Sequence, residues 1–396
     1  MDPMPNEGRG VRRGLTRSSC HPHRVRIRSR GNSLALRGDR PQDEAMEDEA
    51  ATITDQTTAY PLRTERLVLR PVREGDIDPL TAYRNDPQVA ALQDWELPYP
   101  RERAERLVAE HAGRVDITPG TGTQIGIERD GRLIGDVYVG LHEHGGVAEM
   151  GFTLAKEHQG QGYAVEAVSA VVADLVGRLG VHRVFAQLSP LNEASARVLE
   201  RAGFEFESLA PRSFWWRGTW DDNLVYALSA EGWREWRDRP RQAPREVRLV
   251  ELTDDNEWAH RSVRTHRSQQ RFVAPVAQSY GDAMFGEEDG RRVAAVLRGI
   301  EADGERAGFV MWTDVDPAVA EPYLWRLLID RRHQHRGIGA RVMGMIVEHL
   351  REQGHRTLRT SWVQAKGGPE PFYLRLGFVP TGEYDDGEAV ARLRLE

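Results

Sequence analysis

The chain carries one glycine-containing loop twice, and that duplication constrains its fold more than any other feature. Residues 158–164 read His-Gln-Gly-Gln-Gly-Tyr-Ala and residues 333–339 read His-Gln-His-Arg-Gly-Ile-Gly, with Gly162 and Gly337 175 positions apart. Each loop follows an apolar strand-like run, Met150 to Leu154 or Leu324 to Ile329, and opens a helix-like one. Downstream, Ala202-Gly203-Phe204 recurs as Leu376-Gly377-Phe378 at an offset of 174. A shared order of landmarks at nearly constant spacing marks a tandem of two homologous units. The 396 residues suit that count.

Composition sets the limits. Hydrophobic residues at 39% and charged ones at 29% fit globular domains with real cores, and no apolar run approaches a membrane span. A single cysteine, Cys20, excludes an intramolecular disulfide framework and a cysteine-based zinc site. Residues 1–40 hold ten arginines against three acids, and residues 41–56 hold six acids and no base. Such a segment lacks the apolar surface to offset its ordering entropy, so residues 1–56 are expected to be a disordered tail. Arg12-Arg13 is not followed by an apolar segment of the kind export signals carry, and a cytoplasmic protein is expected. Met46 offers an alternative start, an idea that native peptides from upstream of it would exclude. Neither unit is basic enough to suggest a nucleic-acid surface.

The expected organisation is the tail, a first unit over 57–236, a linker over 237–246 marked by Pro240 and Pro244, and a second unit over 247–396. In the first unit, Arg66 to Val72, Thr123 to Glu128, Leu133 to Val139, Val147 to Leu154, His182 to Leu188 and Asn223 to Leu228 read as strands. Asp130-Gly131 marks a hairpin turn. Arg101 to His111, Gly162 to Arg178 and Glu193 to Ala202 read as helices. The second unit follows suit, with strands Val247 to Leu252, Val293 to Arg298, Gly308 to Thr313 and Tyr323 to Ile329, then a helix from Gly339 to Glu352.

A strand entering a short glycine loop and then a helix presents several backbone N–H groups at a positive helix end, a cradle for phosphate or pyrophosphate. Glycine matters because a Cβ would hold the backbone away from the anion. The patterns Gln159-x-x-Gly162-x-Ala164 and Gln334-x-x-Gly337-x-Gly339 fit. No Walker loop occurs, and the sixth positions Val165 and Val342 break the dinucleotide fingerprint. The histidine pairs His142 with His144 and His333 with His335 lack a third ligand in reach, so no metal is expected. Trp215, Trp216 and Trp220 read as core or site-wall aromatics.

Both units resemble the GNAT superfamily of N-acetyltransferases. The first is similar to the RimJ/RimL type through Thr64-Glu65-Arg66-Leu67-Val68-Leu69-Arg70-Pro71, Glu149-Met150-Gly151-Phe152, the loop at 158–164, Asn192-x-x-Ser195 and Arg217-Gly218-x-Trp220-x-Asp222. The second is similar to the polyamine or diamine branch through Gln270-x-Phe272-Val273-Ala274, Arg326 to Asp330, the loop at 334–339 and Phe372-Tyr373-x-x-Leu376-Gly377-Phe378. The resemblance implies an α+β fold: two tandem GNAT domains, each a mixed, mainly antiparallel twisted sheet flanked by helices.

It also implies acetyl transfer from acetyl-CoA to a primary amine: a small amine or polyamine, an antibiotic amine or a protein amino-terminus. Cofactor contacts are implied for Gln159, Gly160, Gln161, Gly162, Tyr163, Ala164, Asn192 and Ser195, and for Leu328, Gln334, His335, Arg336, Gly337, Ile338, Gly339 and Ala340. Backbone N–H groups around Thr153 and Leu328 would polarise the acetyl carbonyl. Tyr373 occupies the place of the tyrosine that serves the CoA sulfur; the first unit has Leu199 there and lacks it. Glu149, on the strand leading to the loop, is the candidate base, and its counterpart is Leu324. Asp314, Asp316 and Glu321 are candidate ligands of a cationic amine. No membrane or nucleic-acid partner is expected, and a homodimer is compatible with the reading. The alternative is one catalytic unit beside a non-catalytic scaffold or acyl-CoA sensor.

Overall fold

The computed structural model describes residues 59–288, 291–313 and 321–396. The tail at 1–56 with Cys20 and Met46, and the candidates Asp314 and Asp316, lie outside the described residues. The first half runs β1 (Leu62–Arg63), β2 (Val68–Pro71), α1 (Ile77–Arg84), α2 (Pro87–Ala90), α3 (Arg101–His111), β3 (Thr121–Arg129), β4 (Arg132–Leu141), β5 (Val147–Leu154) and α4 (Tyr163–Gly177). It continues with β6 (Arg183–Leu188), α5 (Glu193–Ala202), β7 (Glu205–Trp216), β8 (Thr219–Ser229) and α6 (Ala230–Asp238).

The second half runs β9 (Val247–Glu251), α7 (Glu257–Arg261), α8 (Val276–Phe285), the short β10 (Glu287–Glu288) and β11 (Arg291–Arg292), then β12 (Ala295–Ala302), β13 (Glu305–Thr313) and β14 (Tyr323–Ile329). It closes with α9 (Ile338–Glu352), β15 (Thr357–Trp362), α10 (Glu370–Arg375), β16 (Val379–Asp385) and β17 (Glu388–Arg394).

The two halves build the same kind of sheet. The first is ordered β1-β2-β3-β4-β5-β6-β8-β7 and the second β16-β17-β15-β14-β13-β12-β9. Every neighbouring pair is antiparallel except β5 with β6 and β14 with β15. This is the mixed, mainly antiparallel arrangement expected from the sequence. The β3–β4 hairpin turns at Asp130 and Gly131, with φ of 50° and 78°, as a two-residue turn with both central residues left-handed requires.

Period decides which faces are buried. On β5, Ala148, Met150 and Leu154 enter the core, leaving Glu149, Gly151 and Thr153 on the other face. Val168, Val171, Val172 and Leu175 of α4 lie on the same core at 0% exposure. Each such side chain contributes roughly 1.5–3 kcal/mol on burial. In the second half Val342, Met343, Ile346 and Leu350 of α9 fill the equivalent place. A separate apolar cluster beneath α1 and α3, including Leu80, Tyr83, Trp95, Tyr99 and Val108, fixes these helices at one end of the first sheet. No helix among the described residues is long and apolar enough to cross a membrane.

Candidate active site

The lone parallel pair in each sheet creates an opening. Strand β5 pairs with β6 only through Val147, Ala148 and Glu149, opposite Arg183, Val184 and Phe185. Strand β14 pairs with β15 only at Tyr323 and Leu324. Beyond Glu149 and Leu324 these strands have no ladder partner on that side. Alternate backbone N–H groups of the remainder, the stretches holding Thr153 and Leu328, therefore face a gap.

A cavity of about 770 Å³ opens on this gap in the first half. Residues 149–153 of β5 and Gln187, Leu188 and Ser189 at the end of β6 line it, with α3, the Trp95 segment and the β7–β8 hairpin as further walls. Glu149 is among the lining residues, half-buried beside Tyr138. Burial raises the Tyr138 hydroxyl above its ordinary value, and the charges of Glu149 and Glu110 push it further. Asp94, Glu110 and Asp221 also line the cavity.

One wall is fixed by a buried ion pair. Asp136 on β4 accepts a hydrogen bond from Arg84 Nη2 at 3.0 Å and another from the Tyr83 hydroxyl. Burial opposes the charge on Arg84, but Asp136 and the two neighbouring tyrosines more than offset it and hold the guanidinium above its ordinary value. Arg84 also lies over the rings of Trp95 and Tyr99, at 4.6 and 5.3 Å. His111, at the end of α3, faces the same cavity at 8% exposure with Nδ1 unpartnered, and burial lowers its pKa. No motif marked these residues. Arg84 and Asp136 lie 52 positions apart, and only the packing of α1 on β4 brings them together.

Both glycine loops have one construction. Gln159 Nε2 donates to Leu154 O at 3.0 Å, and Gln334 Nε2 donates to Ile329 O at 3.1 Å, so each glutamine ties the loop to the strand it leaves. Gly162 and Gly337 stand at the N-caps of α4 and α9 with φ of 85° and 77°. Gly160 has φ of 76°, and its counterpart His335 adopts 62°. A Cβ at Gly160 or Gly337 would meet nothing within 4 Å, whereas one at Gly162 would meet Arg66 Nη2 at 3.4 Å. A glycine loop at the N-terminus of a helix fits the diphosphate of a CoA molecule.

The flanking side chains differ. Tyr163 and Ile338 are buried, Ala164 is half-buried and Ala340 is exposed. The first loop is edged by Arg66 and Arg129, which lie 4.5 and 4.8 Å over the Tyr163 ring. Arg66 donates from Nη1 to Gln161 O at 3.0 Å and pairs with Glu166. In the second loop the Arg336 side chain turns inward, donating from Nε to Gln242 O at 2.7 Å and pairing with Asp303 at 3.4 Å. Gly339 packs beneath the Phe372 ring, which a Cβ would approach to 3.2 Å. Asn192 caps α5, its side chain accepting from Ser195 N at 3.1 Å.

Tyr373 sits at the opening of the second sheet. It has 8% exposure, stacks on Trp362 at 5.4 Å and meets Phe378 edge-on. Its hydroxyl lies near Thr360, whose own hydroxyl donates to Leu324 O at 3.1 Å where the β14–β15 pairing ends. Burial and the neighbouring Tyr323 raise its pKa well above the ordinary tyrosine value. Glu321 is paired with Arg392 at 2.9 Å. Of the three tryptophans read as core or wall, only Trp216 lines the cavity; Trp215 and Trp220 are 58% and 57% exposed, edge to face at the hairpin tip. They project outward because the β7–β8 hairpin extends past the core. Among the described residues no group of three or more metal-ligating side chains is assembled.

Comparison with known proteins agrees with this architecture. The acetyltransferase (GNAT) domain matches residues 66–205, and the acetyltransferase (GNAT) family matches residues 233–378. An uncharacterized N-acetyltransferase of Bacillus subtilis, YoaA, is 30% identical over 170 residues, covering 42% of this chain and 95% of its own length. The ribosomal protein uS5-alanine N-acetyltransferase of Escherichia coli is 31% identical over 84 residues, 21% of this chain and 43% of its own. Mycobacterium smegmatis RimJ, solved in complex with CoA-disulfide, is 26% identical over 42% of this chain and 82% of its own, with a TM-score of 0.37. The chain therefore belongs to the GNAT family of N-acetyltransferases, as a tandem of two GNAT domains.

Proposed function

We propose that the first domain, taken as residues 57–236, transfers acetyl from acetyl-CoA to a cationic primary amine, a polyamine or an amino-terminus, received in the cavity that Glu149 lines. The observation that carries this reading is the 770 Å³ cavity along the unpaired edge of β5 beyond Glu149, the strand that runs on into the glycine loop at 159–164. Acetyl-CoA, when bound, supplies an activated acetyl group as a thioester. The backbone N–H groups of the loop and the first turn of α4 hold its diphosphate, with Arg66 and Arg129 alongside. Asn192 and Ser195 at the start of α5 are proposed as further contacts. Free N–H groups around Thr153 face the carbonyl to be attacked.

An amine arrives mostly as ammonium and must lose a proton before it is nucleophilic. Glu149 takes that proton, directly or through one water. With the Arg84–Asp136 pair set aside, Asp94, Glu110, Glu149 and Asp221 outnumber Arg103 and Arg106 on the same cavity and favour a positively charged acceptor.

The second domain, residues 247–396, is proposed to hold a second acetyl-CoA through the backbone of the 334–339 loop and Ala340, with N–H groups near Leu328 at the carbonyl. There Tyr373 keeps its proton at neutral pH and donates it to the departing sulfur. CoA-thiol release is followed over a panel of amino-terminal peptides, polyamines and antibiotic amines, with wild type, Gly162→Trp and Gly337→Trp. Each substitution should abolish the acetylation assigned to its own domain. Loss with one substitution alone makes the other domain a scaffold, and no loss with either contradicts the reading.

A further inference from the structure

The cofactor loop of the second domain is braced from the first. Glu200, in the last turn of α5, has 3% exposure, and the hydrogen bonds its carboxylate accepts come from neutral groups, with Arg267 acting on the neighbouring Tyr226. Among the described residues three donors satisfy it. Tyr226 of its own domain donates from its hydroxyl at 3.3 Å, while Ser268 of the second domain donates from its backbone N at 3.0 Å and its Oγ at 2.5 Å. A buried carboxylate is costly unless such donors stay in place, so the turn holding Ser268 is pinned to α5. Arg271 reinforces it, pairing with Glu193 of α5 at 2.9 Å.

The next residue in that turn carries the brace to the loop. Gln269 and Gln334 exchange amide hydrogen bonds, Nε2 of Gln269 donating to Gln334 Oε1 at 3.1 Å and Nε2 of Gln334 donating to Gln269 Oε1 at 2.8 Å. Gln334 also holds the strand-end carbonyl of Ile329 at 3.1 Å. In the first domain the side chain of the equivalent Gln159 makes, among the described residues, only its strand-end bond, to Leu154 O.

We infer that Glu200 of the first domain is a positioning residue for acetyl-CoA binding by the second, acting through Ser268 and Gln269 on Gln334 of the 334–339 loop. This rests on the reading of that loop as a diphosphate cradle. The inference makes the second domain's affinity a property of the whole chain, because two of the three donors that satisfy Glu200 belong to the turn that fixes Gln334.

The test is calorimetric titration of the full chain with acetyl-CoA. In a Gly162→Trp background the second loop is the site observed, and in a Gly337→Trp background the first. Glu200→Ala, Ser268→Ala and Gln269→Ala should each weaken the second site by roughly tenfold and leave the first within about twofold. Glu200→Gln, which keeps an acceptor for Ser268, should restore most of the affinity. Glu200→Ala combined with Gln269→Ala should lose no more than the larger single effect, since both break one chain. The two turn substitutions carry the test if Glu200→Ala does not fold. Equal weakening at both sites, or at neither, overturns the inference. No binding to the Gly162→Trp protein overturns the loop reading itself, and the inference with it.

Discussion

Arg84 Nη2 lies 3.0 Å from Asp136 Oδ2, with both side chains buried in the wall of the cavity that Glu149 shares. Removing one member of such a pair leaves a buried charge without compensation. Asp136→Ala should therefore lower stability by about 3–5 kcal/mol in denaturant titration. Pairing it with Arg84→Met should recover part of that loss, because the orphaned cation is then gone. A double variant less stable than Asp136→Ala alone would contradict this account of the wall.

Tyr373→Phe separates the hydroxyl from the ring. The ring packs on Trp362 and Phe378, so the melting temperature should move by only a few degrees. Turnover assigned to the second domain should fall by about 10²-fold or more, as loss of a general acid implies. Unchanged turnover with that acceptor would make Tyr373 a packing residue.

His266 gives a pH signature at the domain interface. Its half-buried ring meets Trp236 edge-on at 6.0 Å. Burial pushes its pKa down to about 4, and Arg331 adds to the effect, with His335 and Arg239 lowering it further and Asp330 opposing. The unfolded chain thus binds a proton more readily between pH 6.5 and 4. The stability tied to neutral His266 is present above pH 6.5 and is lost as pH falls toward 4. The loss amounts to roughly 2–3 kcal/mol after discount for partial exposure. His266→Gln should flatten this part of the curve in urea titrations at pH 7 and pH 5, and an unaltered slope would refute it.

Several of these features were legible in the residue pattern. The glutamine and glycine spacing exposed the repeated loops, because a strand-to-helix turn needs left-handed residues at set positions, and 160, 162 and 337 carry glycine there. Alternation along Val147 to Leu154 placed Glu149 opposite the core. Of the β7–β8 hairpin only the stretch Asn223 to Leu228 was legible. The hairpin's register shifts between Ala210 and Phe214, where Arg212 adopts φ of 48°, and its tip exposes apolar side chains, so period and burial disagree. The Arg217-Gly218 turn was the available signal. The Arg336 side chain turns to Gln242 O, a partner that loop spacing does not encode. Contacts such as Glu200 with Ser268 depend on how two domains pack, and no local period reports that.

Glu149 is the proposed base that deprotonates the acceptor in the first domain. That role is tested most directly by CoA-thiol release from the full chain carrying Glu149→Gln, with an acceptor whose acetylation Gly162→Trp abolishes. Acetyl-CoA affinity is measured in parallel, because glutamine preserves the shape of the site. With Glu149 as the base, kcat should fall by about 10²- to 10⁴-fold with that affinity unchanged. Turnover within about threefold of wild type would contradict it.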